Sequence, residues 1–233
     1  MLRSAIAAGA LLVAFAALPA SAPAAKGCLF QNERATAKNI GDVERSLLCL
    51  TNVHRLRNDA DPVLRDARLS SAARAHSTDM ATRHFFDHLN PDGVDTQGRA
   101  AAAGYQGGVS ENIATNGTRT ALSLFKQWQR STAGHNENML DPRWNAAGMG
   151  VDPHFFTGGS GITGTQMFGF TDADSEDDGL DLYASSNKCG SAKLALIKNR
   201  QRLRRASGET RQKLKKRVKS LRKLVNEICK DPT

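Results

Sequence analysis

The four cysteines constrain this chain more than any other feature. They stand at positions 28, 49, 189 and 229, two near the start and two bracketing a C-terminal tail. An even count with no CxxC spacing points to two disulfides rather than a zinc knot or redox pair, provided the chain leaves the reducing cytosol. Its first residues supply that condition. Arg3 precedes an apolar run over residues 5–18, and the small-residue series Ala20-Ser21-Ala22-Pro23-Ala24-Ala25 follows, which is the pattern of a secretory signal peptide. The run falls short of the roughly 20 residues a membrane-spanning helix needs. Residues 1–25 are therefore expected to be removed, with cleavage after Ala22, Ala24 or Ala25, leaving a protein secreted to the extracellular side of the cell envelope. Four cysteines permit three pairings. Their placement favours Cys28 with Cys49 and Cys189 with Cys229, each closure contributing about 3 to 4 kcal/mol if it acts through the entropy of the unfolded chain.

Charge divides the chain further. The whole sequence carries 32 Lys and Arg against 23 Asp and Glu. Residues 190–233 hold 15 of those bases and only three acids, Glu209, Glu227 and Asp231, so the tail bears about +12 and the remainder about −3. Between residues 191 and 231 there is no proline and one glycine, Gly208, set in Ala206-Ser207-Gly208-Glu209-Thr210. Long helix-favouring stretches flank that turn. The second stretch places Leu214, Val218, Leu221, Val225 and Ile228 at spacings of four and three, a single apolar seam. The first is weaker, with Leu194, Ala195, Ile197 and Leu203. A basic antiparallel helical hairpin over residues 189–233 is expected, with Leu194 facing Leu224, Ile197 facing Leu221, and the Cys189–Cys229 bond clamping its open end.

The tail's excess of cations, among them Arg211, Lys215, Lys216, Lys219, Arg222 and Lys223, suits anionic cell-surface polymer or lipid headgroups. Nucleic acid is not expected, because no aromatics interleave the bases. The acidic run Asp172, Asp174, Glu176, Asp177, Asp178 and Asp181 is read as a linker over residues 172–188. It is not a calcium loop, since Asp177 occupies the position where the tight turn needs glycine.

Residues 26–40 read as an N-terminal segment and residues 41–171 as one globular domain, with the pattern of an α+β fold. Val43, Leu47, Leu50, Val53 and His54 mark a first helix that Asp61-Pro62 ends. Leu69, Ala72, Ala73, His76 and Met80 mark a second, with His76 read as a core histidine. Leu122, Phe125 and Trp128 mark a third. Residues 147–152 and 164–170 read as strands, and Gly158-Gly159-Ser160-Gly161 as a hairpin.

Several motifs then fall in a fixed order: Asn52-x-x-Arg55, Met80, Phe85-Phe86-Asp87-His88, Pro91-Asp92-Gly93, Arg99, Gly104-Tyr105, Ser110-Glu111-Asn112-Ile113-Ala114, Trp128-x-x-Ser131-x-x-Gly134-His135, Asn138-Met139-Leu140, Gly148-Met149-Gly150-Val151 and Thr165-Gln166-Met167-Phe168-Gly169. This series resembles the CAP superfamily, or SCP domain, of cysteine-rich secretory, antigen 5 and pathogenesis-related proteins, in its compact bacterial branch. The resemblance covers about 130 residues and implies a three-layer α-β-α sandwich.

It also implies a central cleft in which two histidines and two acids hold a divalent metal, often zinc. His88 matches the first histidine and Glu111 the acid of the Gly-Glu-Asn motif, with Ser110 in place of its glycine. Thr163-Gly164 replaces the second histidine of larger members, and Ser131 replaces their second acid. His135 is the remaining candidate ligand. His88, Glu111 and His135 are thus the candidate set for zinc or another divalent cation, with water in a fourth position.

Other chemistries find no support. His84 and His88 have zincin spacing, but Phe85 stands where the glutamate base belongs. No Gly-x-Ser-x-Gly elbow or lysine-bearing phosphate loop is present. Two functional expectations follow. The first is a noncatalytic, monomeric domain that binds a lipid, wall polymer or protein in its cleft, tethered by the tail. The second is a metal-dependent hydrolase in which Glu111 acts as base on a water held by His88 and His135.

Overall fold

A computed structural model describes residues 27–170, residues 192, 195–196, 199–200 and 202–203, and residues 206–228. The expected signal peptide, the acidic linker and the pairing of Cys189 with Cys229 lie outside the described residues.

The chain enters through a segment fastened to the body from its first turn. Cys28 is bonded to Cys49 across 21 residues, Ala35 N–H donates to Arg119 O at 2.7 Å, and Leu122 N–H donates to Gln31 O at 2.9 Å. Helix α1, Ile40–Arg57, buries Val43, Leu47, Leu48, Cys49, Leu50 and Val53, the stripe its periodicity predicts. The short strand β1, Leu64–Arg65, leads into α2, Ala67–Arg83. Asp66 caps α2 by accepting from Arg68 N–H at 2.8 Å and Leu69 N–H at 3.3 Å, satisfying two of the donors a helix start leaves open. Helix α2 ends at His84, whose backbone is left-handed with φ 60°. His84 and His88 therefore do not share a helical face, so the zincin geometry is absent.

Next come α3, Thr96–Ala102; β2, Val109–Asn116; α4, Ala121–Arg130; α5, His135–Leu140; β3, Ala146–His154; and β4, Ser160–Gly169. The sheet order is β1-β3-β4-β2. β1 runs parallel to β3, and the β3–β4 and β4–β2 pairs are antiparallel. The glycine-rich segment makes the hairpin between β3 and β4, with Gly158 and Gly159 at φ 86° and 82°, values that L side chains rarely adopt. The third helix differs from its sequence pattern in detail. Leu124, not Leu122, fills the core beside Phe125 and Trp128, and Leu122 is only partly buried.

One face of the sheet packs on α1 and α4, burying Leu47, Leu124, Trp128, Ile162 and Phe168 among others. The opposite face packs on α2, with Leu69, Ala73, Tyr105 and Met167. This is the expected three-layer sandwich. Helix α2 lies so close to β3 that a Cβ on Gly148 would overlap the Leu69 backbone, and one on Gly150 the backbone at Ala73 and Arg74. The Gly-Met-Gly-Val motif is thus the imprint of a helix backbone resting on a strand.

The final helix, α6, spans Gly208–Ile228 and starts at the predicted turn, where Gly208 has φ 54°. The described residues between 192 and 203 are helical. Ala192 and Leu196 bury against Val225, with Val218 and Leu221 packed beside them. Of the seam expected on α6, Val218, Leu221 and Val225 pack in this cluster, and its partner includes Leu196 rather than only the positions expected. The side chains of Leu194, Ile197 and Leu224 lie outside those described. Two ion pairs join this region to the turn after α1, Arg200 with Asp61 at 3.0 Å and Arg222 with Asp59 at 2.8 Å. Among the described residues no helix is long and apolar enough to cross a membrane.

Candidate functional site

The cleft is assembled from backbone held by one cation. Arg55, fully buried on α1, donates through Nε to Asp61 O at 2.6 Å, through Nη1 to Met139 O at 2.6 Å and Asp141 O at 3.0 Å, and through Nη2 to Trp144 O at 3.2 Å. One turn earlier Asn52 exchanges two hydrogen bonds with the Val63 backbone, 2.8 and 2.9 Å. A guanidinium presents a rigid fork of five donors, so this pair of side chains fixes the loops on both sides of β1 and the segment following α5. The Asn52-x-x-Arg55 motif is therefore structural.

A second buried network sets the floor. Gln166 Nε2 donates to Thr51 Oγ1 at 2.7 Å. Asn112 Nδ2 donates to Gln166 Oε1 at 2.9 Å and to His135 O at 3.0 Å. Asn138 Nδ2 donates to Asn112 Oδ1 at 2.9 Å, and Trp144 Nε1 donates to Asn138 Oδ1 at 3.1 Å. Each acceptor and donor finds a partner, which makes such a chain rigid rather than costly.

Above that floor lies a cleft of about 350 Å³ lined by His88, Glu111 and His135, together with Asn112, Asn138 and Trp144. The three residues singled out in the sequence do meet there. Glu111 is the hub, its side chain 2% exposed. It accepts from Arg99 Nη2 on both oxygens, at 2.9 and 2.8 Å, from Thr96 Oγ1 at 3.2 Å, and from His88 Nδ1 at 2.8 Å. The spacing of Thr96 and Arg99 on α3 turns both toward β2. His76, wholly buried on α2, brings Nε2 within 3.8 Å of the same carboxylate while donating to Asp87 O at 3.0 Å. Its Nδ1 is buried without a hydrogen-bond partner among the described residues.

Burial raises the Glu111 pKa, but the His88 bond and the nearby His76 and Arg99 more than offset it, leaving the carboxyl below its ordinary value. The Glu111 bond raises His88. Burial lowers His76, and burial followed by the nearby His88 lowers His135. Ser131 Oγ lies 2.6 Å from His135 Nδ1. With the hydroxyl donating to Nδ1, the proton of neutral His135 sits on Nε2.

These residues as arranged do not fit a divalent cation. A ligand carboxylate needs lone pairs facing the metal, whereas both Glu111 oxygens face the Arg99 guanidinium. Among the described residues no three His, Cys, Asp or Glu side chains are grouped closely enough to hold a metal ion. The ordered motifs contain Arg99 but assign it no role, and they omit Thr96. His76 is core packing, as its helical position predicts, but this histidine also borders the carboxylate.

Residues 48–162 match the family model of cysteine-rich secretory proteins, CAP. The chain carries a CAP domain. Over 117 residues it is 33% identical to the uncharacterized protein YkwD of Bacillus subtilis (strain 168), a match covering 48% of this chain and 43% of that protein. The chain thus spans less than half the length of that relative. An extracellular protein containing a SCP domain from Bacillus anthracis str. Ames superposes with a TM-score of 0.50 at 24% identity, over 59% of this chain and 44% of that one. That likeness is one of fold. An outer surface protein from Borrelia burgdorferi aligns at 14% identity with a TM-score of 0.48, covering 59% of this chain and 97% of that one. In this CAP domain, the ordered motifs map onto the backbone staples, the polar floor and the Glu111 hub.

Proposed function

We propose that this is an exported binding protein whose CAP cleft holds a polar, hydroxyl-rich ligand such as a cell-wall polymer, without catalysis. The basic tail engages an anionic surface. The observation that carries the cleft reading is the pairing of Glu111 with Arg99. A carboxylate bonded to Arg99, Thr96 and His88 is a poor general base, because its charge is matched and its pKa is lowered. What the cleft offers instead is a set of oriented polar groups. His88, Ser110, His135 and Glu137 line it beside the Trp144 ring, the pairing of hydrogen-bonding groups and an apolar face that polar ligand sites use. Export is supported by the N-terminal sequence and by a fold shared with a bacterial protein described as extracellular.

The test is co-sedimentation of the protein with purified cell wall in 1 M salt, which suppresses the tail's contribution, alongside zinc titration of chelator-treated protein in a calorimeter. Wall binding lost in His135→Ala, with no stoichiometric zinc uptake, is the expected result. Stoichiometric zinc uptake that disappears in His88→Ala would overturn this reading in favour of a metal-dependent hydrolase built on His88, Glu111 and His135.

A further inference from the structure

The described part of the tail does more than spread charge along a helix. Between α6, the residues before its turn and the loop after α1 lies a cavity of about 420 Å³. Five cations line it: Arg200, Arg211, Lys215, Lys219 and Arg222. Arg211, Lys215 and Lys219 repeat every four residues and Arg222 follows three later, so α6 turns one face of cations inward. Leu203 and Val218 add apolar surface to the same wall.

Two of the five cations are matched within the protein, Arg200 by Asp61 and Arg222 by Asp59. Arg211 is aimed by bonds from Nη1 to the carbonyls of Leu203 at 3.2 Å and Ala206 at 3.3 Å. Those acceptors are neutral. Among the described residues Lys215 and Lys219 have no ion-pair partner. Three unmatched cations therefore converge on one concave site, where like charges four residues apart repel and a bound anion relieves them. Arg211 supplies a planar fork suited to phosphate oxygens, and the two lysines supply mobile point charges.

We propose that this cavity is a discrete site for the phosphate headgroup of an anionic lipid. The phosphate is bound by Arg211, Lys215 and Lys219, and the adjoining carbon chain lies on Leu203 and Val218. The proposal rests on the reading of the tail as an anionic-surface binder and gives that reading a specific ligand. A free phosphate shares the headgroup's chemistry but leaves the apolar wall unused.

The full chain is measured against vesicles of phosphatidylglycerol in phosphatidylcholine, comparing Lys215→Ala/Lys219→Ala with Lys216→Ala/Arg217→Ala. Both pairs remove the same charge from exposed positions of α6, and only the first lies in the cavity. A surface field acting on charge alone weakens the two variants equally. The site predicts that the cavity pair loses about tenfold more affinity than the outer pair, the scale of losing charge-assisted contacts. Equal losses overturn the site and leave the tail an unspecific cationic surface. Failure of the parent protein to bind at low salt overturns the surface reading and the site together. In a second arm, dihexanoyl phosphatidylglycerol below its micelle concentration should bind the parent one to one and more tightly than glycerophosphoglycerol, the same diester without acyl chains. Equal affinity for the two overturns the lipid assignment.

Discussion

The CAP domain and the basic tail use arginine in opposite ways. Inside the domain Arg55 is fully buried and spends its donors on backbone carbonyls, and Arg99 neutralises a carboxylate that is itself 2% exposed. In the tail, Arg222 is about half exposed and its partner Asp59 is 79% exposed, so water screens the pair and its worth is small. The apolar support differs as well. The domain packs two large clusters on a four-stranded sheet, whereas the described tail rests on Ala192, Leu196 and Val225 with two flanking residues. A single cation can thus be indispensable to one region and expendable in the other, and burial decides which.

The sharpest way to break that contrast is Arg55→Met. It removes the guanidinium's hydrogen bonds and strands the carbonyls of Asp61, Met139, Asp141 and Trp144. We expect a loss of about 4 kcal/mol in urea denaturation, with the cleft loops opening before the sheet melts. A loss under about 1 kcal/mol would show that water replaces the guanidinium.

Next is Glu111→Gln, which keeps the shape and removes the charge. Arg99 is then left buried without its counter-ion, at a cost of about 3 kcal/mol by the same assay. Arg99→Met in the same chain should recover part of that loss, and failure to do so would disprove the coupling.

A smaller effect is expected for Asp66→Ala, about 1 kcal/mol, from loss of the α2 cap. Burial raises the Asp66 pKa, but the Arg68 side chain and the backbone N–H groups of Leu69 and Arg68 outweigh it, so the folded value lies below the ordinary one. The folded state then favours the ionised form. Its contribution is full above the unfolded pKa of about 3.9 and is lost as pH falls through the lower folded pKa. The stability difference between parent and variant should therefore shrink below about pH 4; a constant difference would assign the effect to packing.

Smallest of all is Asp59→Asn in the tail contact. Global unfolding should not move measurably, while amide exchange of α6 should quicken at low salt and match the parent at 1 M salt. Any large shift in the unfolding midpoint would mean that the tail and domain are one cooperative unit.

Much of this architecture was legible in the sequence because it follows periodicity. The stripe of α1, the pattern of α2 and the seam of α6 are repeats that burial enforces. β2 was harder to read: its residues 109–116 mix half-buried polar positions with a short apolar run, and only the family resemblance marked them. α3 and α5 are too short to show a period. The pairing of His88 with Glu111, and of Glu111 with Arg99, was hidden for another reason. Such contacts span 23 and 12 residues and depend on how α3 packs against β2, which no local pattern records. The family resemblance grouped His88, Glu111 and His135, but it did not reveal the arginine that pairs with the shared carboxylate.

Arg55 carries one more consequence. It holds the segment after α5 by carbonyl oxygens, which every amino acid possesses, and not by any particular side chain. The scaffold therefore imposes shape on that stretch while leaving its lettering open. Residues such as Asp141 and Arg143 can be exchanged without disturbing what grips them. A gene encoding this fold is free to retune what the cleft recognises, one surface residue at a time, on a foundation that does not have to change.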